Sequence, residues 1–198
     1  LSSLLWNITM NSLLKSFTNL PNCEVIAYAD DLSIICWETS IFDLTHSLKE
    51  KIQISQLWCN NNQLEMNNSK TELTYFNCKI HKTLHLPNHT ITPTPSIKIL
   101  GLTFGDHKFT NKLNFNDHIQ NCINKCLKVK SILFLLAKNC WGLNTRKRVI
   151  LYKTVIRTKL LYAQKIFFKF LTKKQISSLN HIQHIFLKHS IKAFSTIS

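Results

Sequence analysis

Glycine is scarce in this chain, three residues in 198, against an average usage of about 7%. Tight left-handed turns must therefore be few or be made by other residues, and helix should be abundant. No stretch reaches the roughly 20 apolar residues of a membrane span, and no charged-then-apolar signal segment opens the chain, so no membrane partner is expected. The seven cysteines are odd in number and contain no C-x-x-C pair, which supports neither a zinc ribbon nor a disulfide framework. Reduced thiols and an intracellular setting, cytoplasm and nucleus, are the expectation. Acid is missing altogether from one part: residues 119–198 hold sixteen Lys/Arg and no Asp or Glu, net +16, whereas residues 1–118 hold nine against ten, net −1. A half so basic suits a polyanionic partner. The chain begins at Leu1 and its first Met is residue 10, so a fragment is expected.

What is present centres on VIAYADDLSIICW, residues 25–37. Two β-branched and aromatic runs of strand length flank Asp30 and Asp31, the pattern of a β-hairpin with a polar tip. Taken alone, the Asp pair fits an ordinary turn. The sharper reading is a metal site, because no Lys or Arg lies within a dozen residues of it and two carboxylates at a rigid tip concentrate negative charge.

Along the chain, apolar residues at helical spacing predict a helix over residues 1–17, with Leu1, Leu4, Leu5 and Ile8 and then Met10, Leu13, Leu14 and Phe17 on its apolar side. Ser40 is a predicted N-cap for a long helix through Ile41, Leu44, Leu48 and Ile52, which the Asn60–Asn62 run ends. A short extended pair is predicted around Leu64–Met66 and Leu73–Phe76, a proline loop over 86–96, and a strand over 97–104 containing Gly101. His81, His85 and His89 repeat every four residues, but Pro87 interrupts them and a polar loop is the default. Cys122 and Cys126 are helix-spaced, without a second ligand pair. Helices follow over 115–138, 145–169 and 173–192, opened by Asn116, by Asn144 or Thr145, and by Thr172. The fold class is α+β, divided at about residue 104.

The order of these pieces resembles the reverse transcriptase of non-LTR (LINE-type) retrotransposons. Tyr28-Ala29-Asp30-Asp31 resembles that family's YADD hairpin. Residues 1–14 resemble the helix before it, with Ser3 where the family has Pro. Leu64-Glu65-Met66-Asn67 with Lys70-Thr71-Glu72 resembles the next motif, and Ile99-Leu100-Gly101-Leu102 the hairpin that grips the primer. His118-Ile119, Trp141-Gly142-Leu143, Leu151-Tyr152-Lys153 and Leu161-Tyr162 resemble the helical thumb.

The resemblance implies a partial polymerase palm over residues 1–104, an antiparallel sheet with helices, and a mainly α-helical basic thumb and C-terminal connection over 105–198. It implies RNA-directed DNA polymerisation by two-metal nucleotidyl transfer, with two Mg²⁺ ions, or Mn²⁺, on Asp30 and Asp31, the former the principal ligand. Lys70 would then sit beside the departing pyrophosphate, and Tyr28 beside the primer end. Leu100, Gly101, Arg146, Lys147, Arg148, Lys153 and Arg157 would hold primer and template. The partners implied are an RNA template, a DNA primer, dNTP and the missing N-terminal part of the same polypeptide. The family's third carboxylate and its fingers would lie upstream of Leu1, so the chain alone is expected to be inactive. The alternatives are a non-catalytic nucleic-acid-binding remnant and a pseudogene product.

Overall fold

The structure, a computed structural model, describes residues 2–78, 80–87, 89–106, 113–136 and 142–191. It has two compact units, Leu1–Thr94 and Pro95–Ser198. The division falls ten residues before the predicted one, because the strand region 97–104 builds its contacts with the helices that follow it.

In the first unit, helix α1 (Ser2–Phe17) lies against the antiparallel hairpin of β1 (Cys23–Tyr28) and β2 (Asp31–Cys36). Strand β1 alternates half-buried and exposed residues, as expected for a sheet with one covered face. Val25, Ala27 and Leu32 turn inward onto Met10, Leu13 and Phe17, with Trp6, Ile54 and Trp58 around them. The apolar stripe of α1 is thus Trp6, Met10, Leu13 and Phe17, at intervals of four, three and four. Leu4, Leu5 and Ile8, predicted to share that side, are about 60% exposed.

Helix α2 (Ile41–Asn61) starts at Ser40, whose hydroxyl accepts the Phe42 N–H. Gln63, at φ 55°, takes the left-handed turn expected of an Asn. Leu44, Leu48 and Ile52 of α2 pack on Leu73, Tyr75, Leu84, Leu86 and Ile91. The extended pair predicted at 64–66 and 73–76 does not form: Leu73 instead makes a parallel bridge with Pro93. Within the predicted loops lies a small hairpin, β3 (Leu84–His85) with β4 (Thr90–Ile91).

In the second unit, β5 (Ser96–Ile99), β6 (Leu102–Asp106) and β7 (Leu113–Asn114) form an antiparallel sheet. Helix α3 (Asn116–Lys128) covers it. Phe115 holds the N-cap position, one residue before the predicted Asn116, and the Asn114 side chain accepts the Asn116 N–H. The predicted helix 115–138 breaks at Val129, beyond which α4 (Lys130–Leu136) continues; residues 137–138 lie outside the described residues. The predicted helix 145–169 is five pieces: α5 (Thr145–Leu151), a π-helical segment Tyr152–Arg157, α6 (Thr158–Leu161), past a left-handed Ala163, α7 (Gln164–Phe167), and a 3-10 turn Phe168–Phe170. Helix α8 (Lys173–Ser190) opens with a capping box between Thr172 and Gln175. The core joins Phe115, Ile119, Cys126, Ile156, Leu160, Phe167, Ile182 and Phe186, the last of them T-shaped against Phe134. Burying several aromatic and aliphatic side chains at about 1.5–3 kcal/mol each is the main force holding this unit.

Candidate functional site

The β1–β2 hairpin turns in two residues, Ala29 and Asp30, with Tyr28 opposite Asp31 as its last pair. So short a loop needs a left-handed residue. The chain has no glycine to spare there, and Ala29 takes φ 53°. A non-glycine residue in this region costs about 1–2 kcal/mol and persists only where its surroundings hold it. Here α1 does so: the Trp6 indole Nε1–H donates to the Ala29 carbonyl at 2.6 Å.

That clamp presents Asp30 at the tip and Asp31 on the outward face beside Tyr28, all three exposed. Among the described residues neither carboxylate has an ion-pair or hydrogen-bond partner. Four carboxylate oxygens are thus free for a hard cation. Two side chains cannot complete a metal's shell, and among the described residues no three His, Cys, Asp or Glu gather as a metal site. This includes His81, His85 and His89. Asp30 and Asp31 therefore fit a divalent ion that arrives with further ligands of its own.

Beside the tip runs an open groove of about 350 Å³ lined by Asn7, Ile8, Met10, Asn11, Leu14, Ala27 and Ala29. Sequence reasoning missed Trp6 and this groove. Their one signal was the four-residue step from Trp6 to Met10, which puts Trp6 on the buried stripe and Asn7 and Asn11 on the adjacent one.

Lys70 is exposed on a single 3-10 turn, Asn68–Lys70, capped by Asn67, whose Oδ1 accepts the Lys70 N–H and the Ser69 hydroxyl. In the second unit, Leu100 and Gly101 form the two-residue turn between β5 and β6 with φ 48° and 83°. Positive φ at both positions is the type I′ pattern, which favours Asn-Gly; Leu at the first is a strained choice. The Tyr162 hydroxyl donates to the Leu100 carbonyl, and a Cβ at position 101 would lie 3.3 Å from the Tyr162 ring.

Arg146 and Lys147 sit exposed in the first turn of α5, and Lys153 and Arg157 are exposed on the π-helical segment. Arg148 does not join them. It is 4% exposed, its Nε donates to the Leu143 carbonyl, and it lines a cavity of about 20 Å³ with His189 and Ser190. Its helical phase turns it inward while its two neighbours face out. Of the thumb-like motifs, Trp141 lies outside the described residues. His118 is buried, its Nδ1 accepting the Thr103 N–H at 3.4 Å and its Nε2 3.5 Å from the Cys122 sulfur. It is a packing residue joining α3 to β6. Among the described residues no helix is long and apolar enough to cross a membrane.

The pattern that defines the family "Reverse transcriptase (RNA-dependent DNA polymerase)" matches residues 1–104. The chain is also similar to a retrovirus-related Pol polyprotein from the type-1 retrotransposable element R1 of Nasonia vitripennis, 22% identical over 203 residues that cover 98% of this chain. The chain spans 58% of that protein's length. No solved structure matches it. The chain belongs to the reverse transcriptase family, with a retrotransposable-element polyprotein among its relatives.

Proposed function

We propose that this chain is the palm and thumb portion of an RNA-directed DNA polymerase of a non-LTR retrotransposon. The observation that carries the reading is the pair of exposed, unpartnered carboxylates on a two-residue tip whose strained backbone is clamped by Trp6. Asp30, at the tip itself, would be the principal ligand of two divalent ions and Asp31 the second. When bound, such ions offset charge on the attacking and leaving oxygens of nucleotidyl transfer.

The chain's own groups supply position. Tyr28, on the outward face beside Asp31, offers a ring for the primer end. Lys70 offers a cation for departing pyrophosphate, where charge develops. The Leu100–Gly101 turn would offer its backbone amides to a primer strand. Arg146, Lys147, Lys153 and Arg157 would meet phosphates of the template–primer duplex, whereas Arg148 would brace the segment before α5.

With only two carboxylates at the tip, the chain by itself would not extend a primer; a third, from further polypeptide, would complete the centre. The test compares the 198 residues alone with a longer polypeptide in which they follow an upstream reverse-transcriptase segment carrying a third carboxylate, on an RNA template with a DNA primer. Product from the longer protein that vanishes with Asp30→Asn, and none from the 198 residues, is the expected outcome. Product from the 198 residues that disappears with Asp30→Asn would overturn the claim of inactivity.

The acid-free stretch 119–198 and its exposed bases also favour a second reading, a nucleic-acid binder without catalysis. Duplex binding with a steep salt slope and no Mg²⁺ dependence, together with a silent longer protein, would select it.

A further inference from the structure

The base of the hairpin opposes two cysteines. Cys23 of β1 and Cys36 of β2 are direct cross-strand partners. The adjoining pair, Asn22 and Trp37, is of the hydrogen-bonded kind, since the Trp37 N–H donates to the Asn22 carbonyl at 3.1 Å. The two kinds alternate along an antiparallel ladder, so Cys23 and Cys36 form a non-hydrogen-bonded pair, the kind in which opposed side chains stand closest, with Cα atoms about 4.5 Å apart. That lies inside the range a disulfide accepts, about 4.4–6.8 Å. Both thiols are free and half-buried.

The surroundings add chemistry to this geometry. Ser47 stands beside the Cys36 thiol, and the Ser47 hydroxyl accepts from the Lys51 ammonium at 3.1 Å. Ser47 and Lys51 are both buried, at 7% and 3% exposure. Burial raises the Cys36 pKa and the neighbouring Cys23 raises it further, while Ser47 and Lys51 act to lower it. The effect of Cys23 on Cys36 reflects their closeness. Cys122 and Cys126 sit deeper, in the core of the second unit, with burial pushing Cys126 up to about 11.

We propose that Cys23 and Cys36 are a reversible oxidation site: a small-molecule disulfide, such as oxidised glutathione, converts them to a cross-strand disulfide that staples the open end of the hairpin carrying Asp30 and Asp31. One protein thiolate attacks the glutathione disulfide, forming a mixed disulfide and expelling one glutathione thiolate. The second protein thiol, losing its proton, attacks the protein sulfur of that mixed disulfide and expels the other. Two protein thiols are oxidised and one glutathione disulfide is reduced to two glutathiones. The bond closes the strands at the end opposite Trp6, so both ends of the hairpin are then held. Its formation does not depend on the polymerase reading, and failure of one leaves the other standing.

The purified chain is equilibrated with oxidised glutathione, unfolded in acidic denaturant so that every remaining thiol is accessible, free thiols are alkylated, and the labels are located by mass spectrometry. The expected result is an intrachain bridge with Cys23 and Cys36 unlabelled and the other five of the seven cysteines alkylated. Dithiothreitol restores all seven. The bridged form melts at a higher temperature than the reduced one, a rise that Cys23→Ser abolishes. Should Cys23→Ser fail to fold, Cys59→Ser serves instead and keeps the bridge. Alkylation of both Cys23 and Cys36 under conditions that modify Cys59 or Cys78 would overturn the proposal, as would bridges formed only between chains.

Discussion

Gly101→Ala tests how the β5–β6 turn is held. At φ 83° an alanine pays the left-handed penalty of about 1–2 kcal/mol. It recovers about 0.4–1 kcal/mol because the unfolded chain loses freedom. The new Cβ would stand 3.3 Å from Tyr162 Cε1, closer than ordinary contact. Tyr162 is about half exposed, so its ring can swing aside, but the swing weakens its hydroxyl's bond to the Leu100 carbonyl, worth about 0.5–1.5 kcal/mol. Together these destabilise the second unit by about 1–2 kcal/mol. Urea denaturation followed by circular dichroism measures this for Gly101→Ala, Tyr162→Phe and the double variant. The two substitutions share one hydrogen bond, so the double variant should lose less than the sum of the singles. A Gly101→Ala protein as stable as the parent, or a strictly additive cycle, would refute the account of the turn.

Other perturbations have equally definite outcomes. Burial lowers the pKa of His118, and Lys125 lowers it further. Below the ordinary value of about 6.5 the unfolded chain takes up a proton there that the fold resists. Stability is therefore full above that pH and falls as acid is added. His118→Asn, which keeps an acceptor for the Thr103 N–H, should lose less between pH 7 and 5; identical profiles would contradict this. Trp6→Phe removes the bond to the Ala29 carbonyl, about 0.5–1.5 kcal/mol, and should speed amide exchange at the hairpin tip by up to about tenfold, read by NMR. Replacing Arg146, Lys147, Lys153 and Arg157 with Gln should flatten the plot of log K for duplex DNA against log salt by about 0.9 per lost phosphate contact. Arg148→Gln should instead lower the melting temperature.

The hairpin was legible in the sequence because two β-branched and aromatic runs of strand length around an Asp-Asp step leave few alternatives. Asp30 and Asp31 stood out for the same reason, as carboxylates between two strands. Helix α1 was legible as a helix but not in its orientation. Its sequence carries two apolar stripes, and only packing against Val25, Ala27 and Leu32 selects Trp6-Met10-Leu13-Phe17. The breaks in the predicted helix 145–169 have no local cause in composition: no Gly or Pro lies there, and a π segment often marks a local functional demand. The β3–β4 hairpin hid in a proline loop because strands of two residues have no periodicity to detect. Arg148 reads in sequence like the bases beside it, and only its helical phase, known once α5 is placed, withdraws it from the surface.

The central claim is that Asp30 and Asp31 hold a divalent ion at the hairpin tip. Substoichiometric Mn²⁺ titrated into isotopically labelled protein tests it directly, since the ion broadens NMR signals of nearby amides. The account predicts that Tyr28, Ala29, Asp30 and Asp31 broaden first and that Asp30→Asn with Asp31→Asn removes the effect. Broadening centred on the loop of His81, His85 and His89 instead, or unchanged in that double variant, would contradict it.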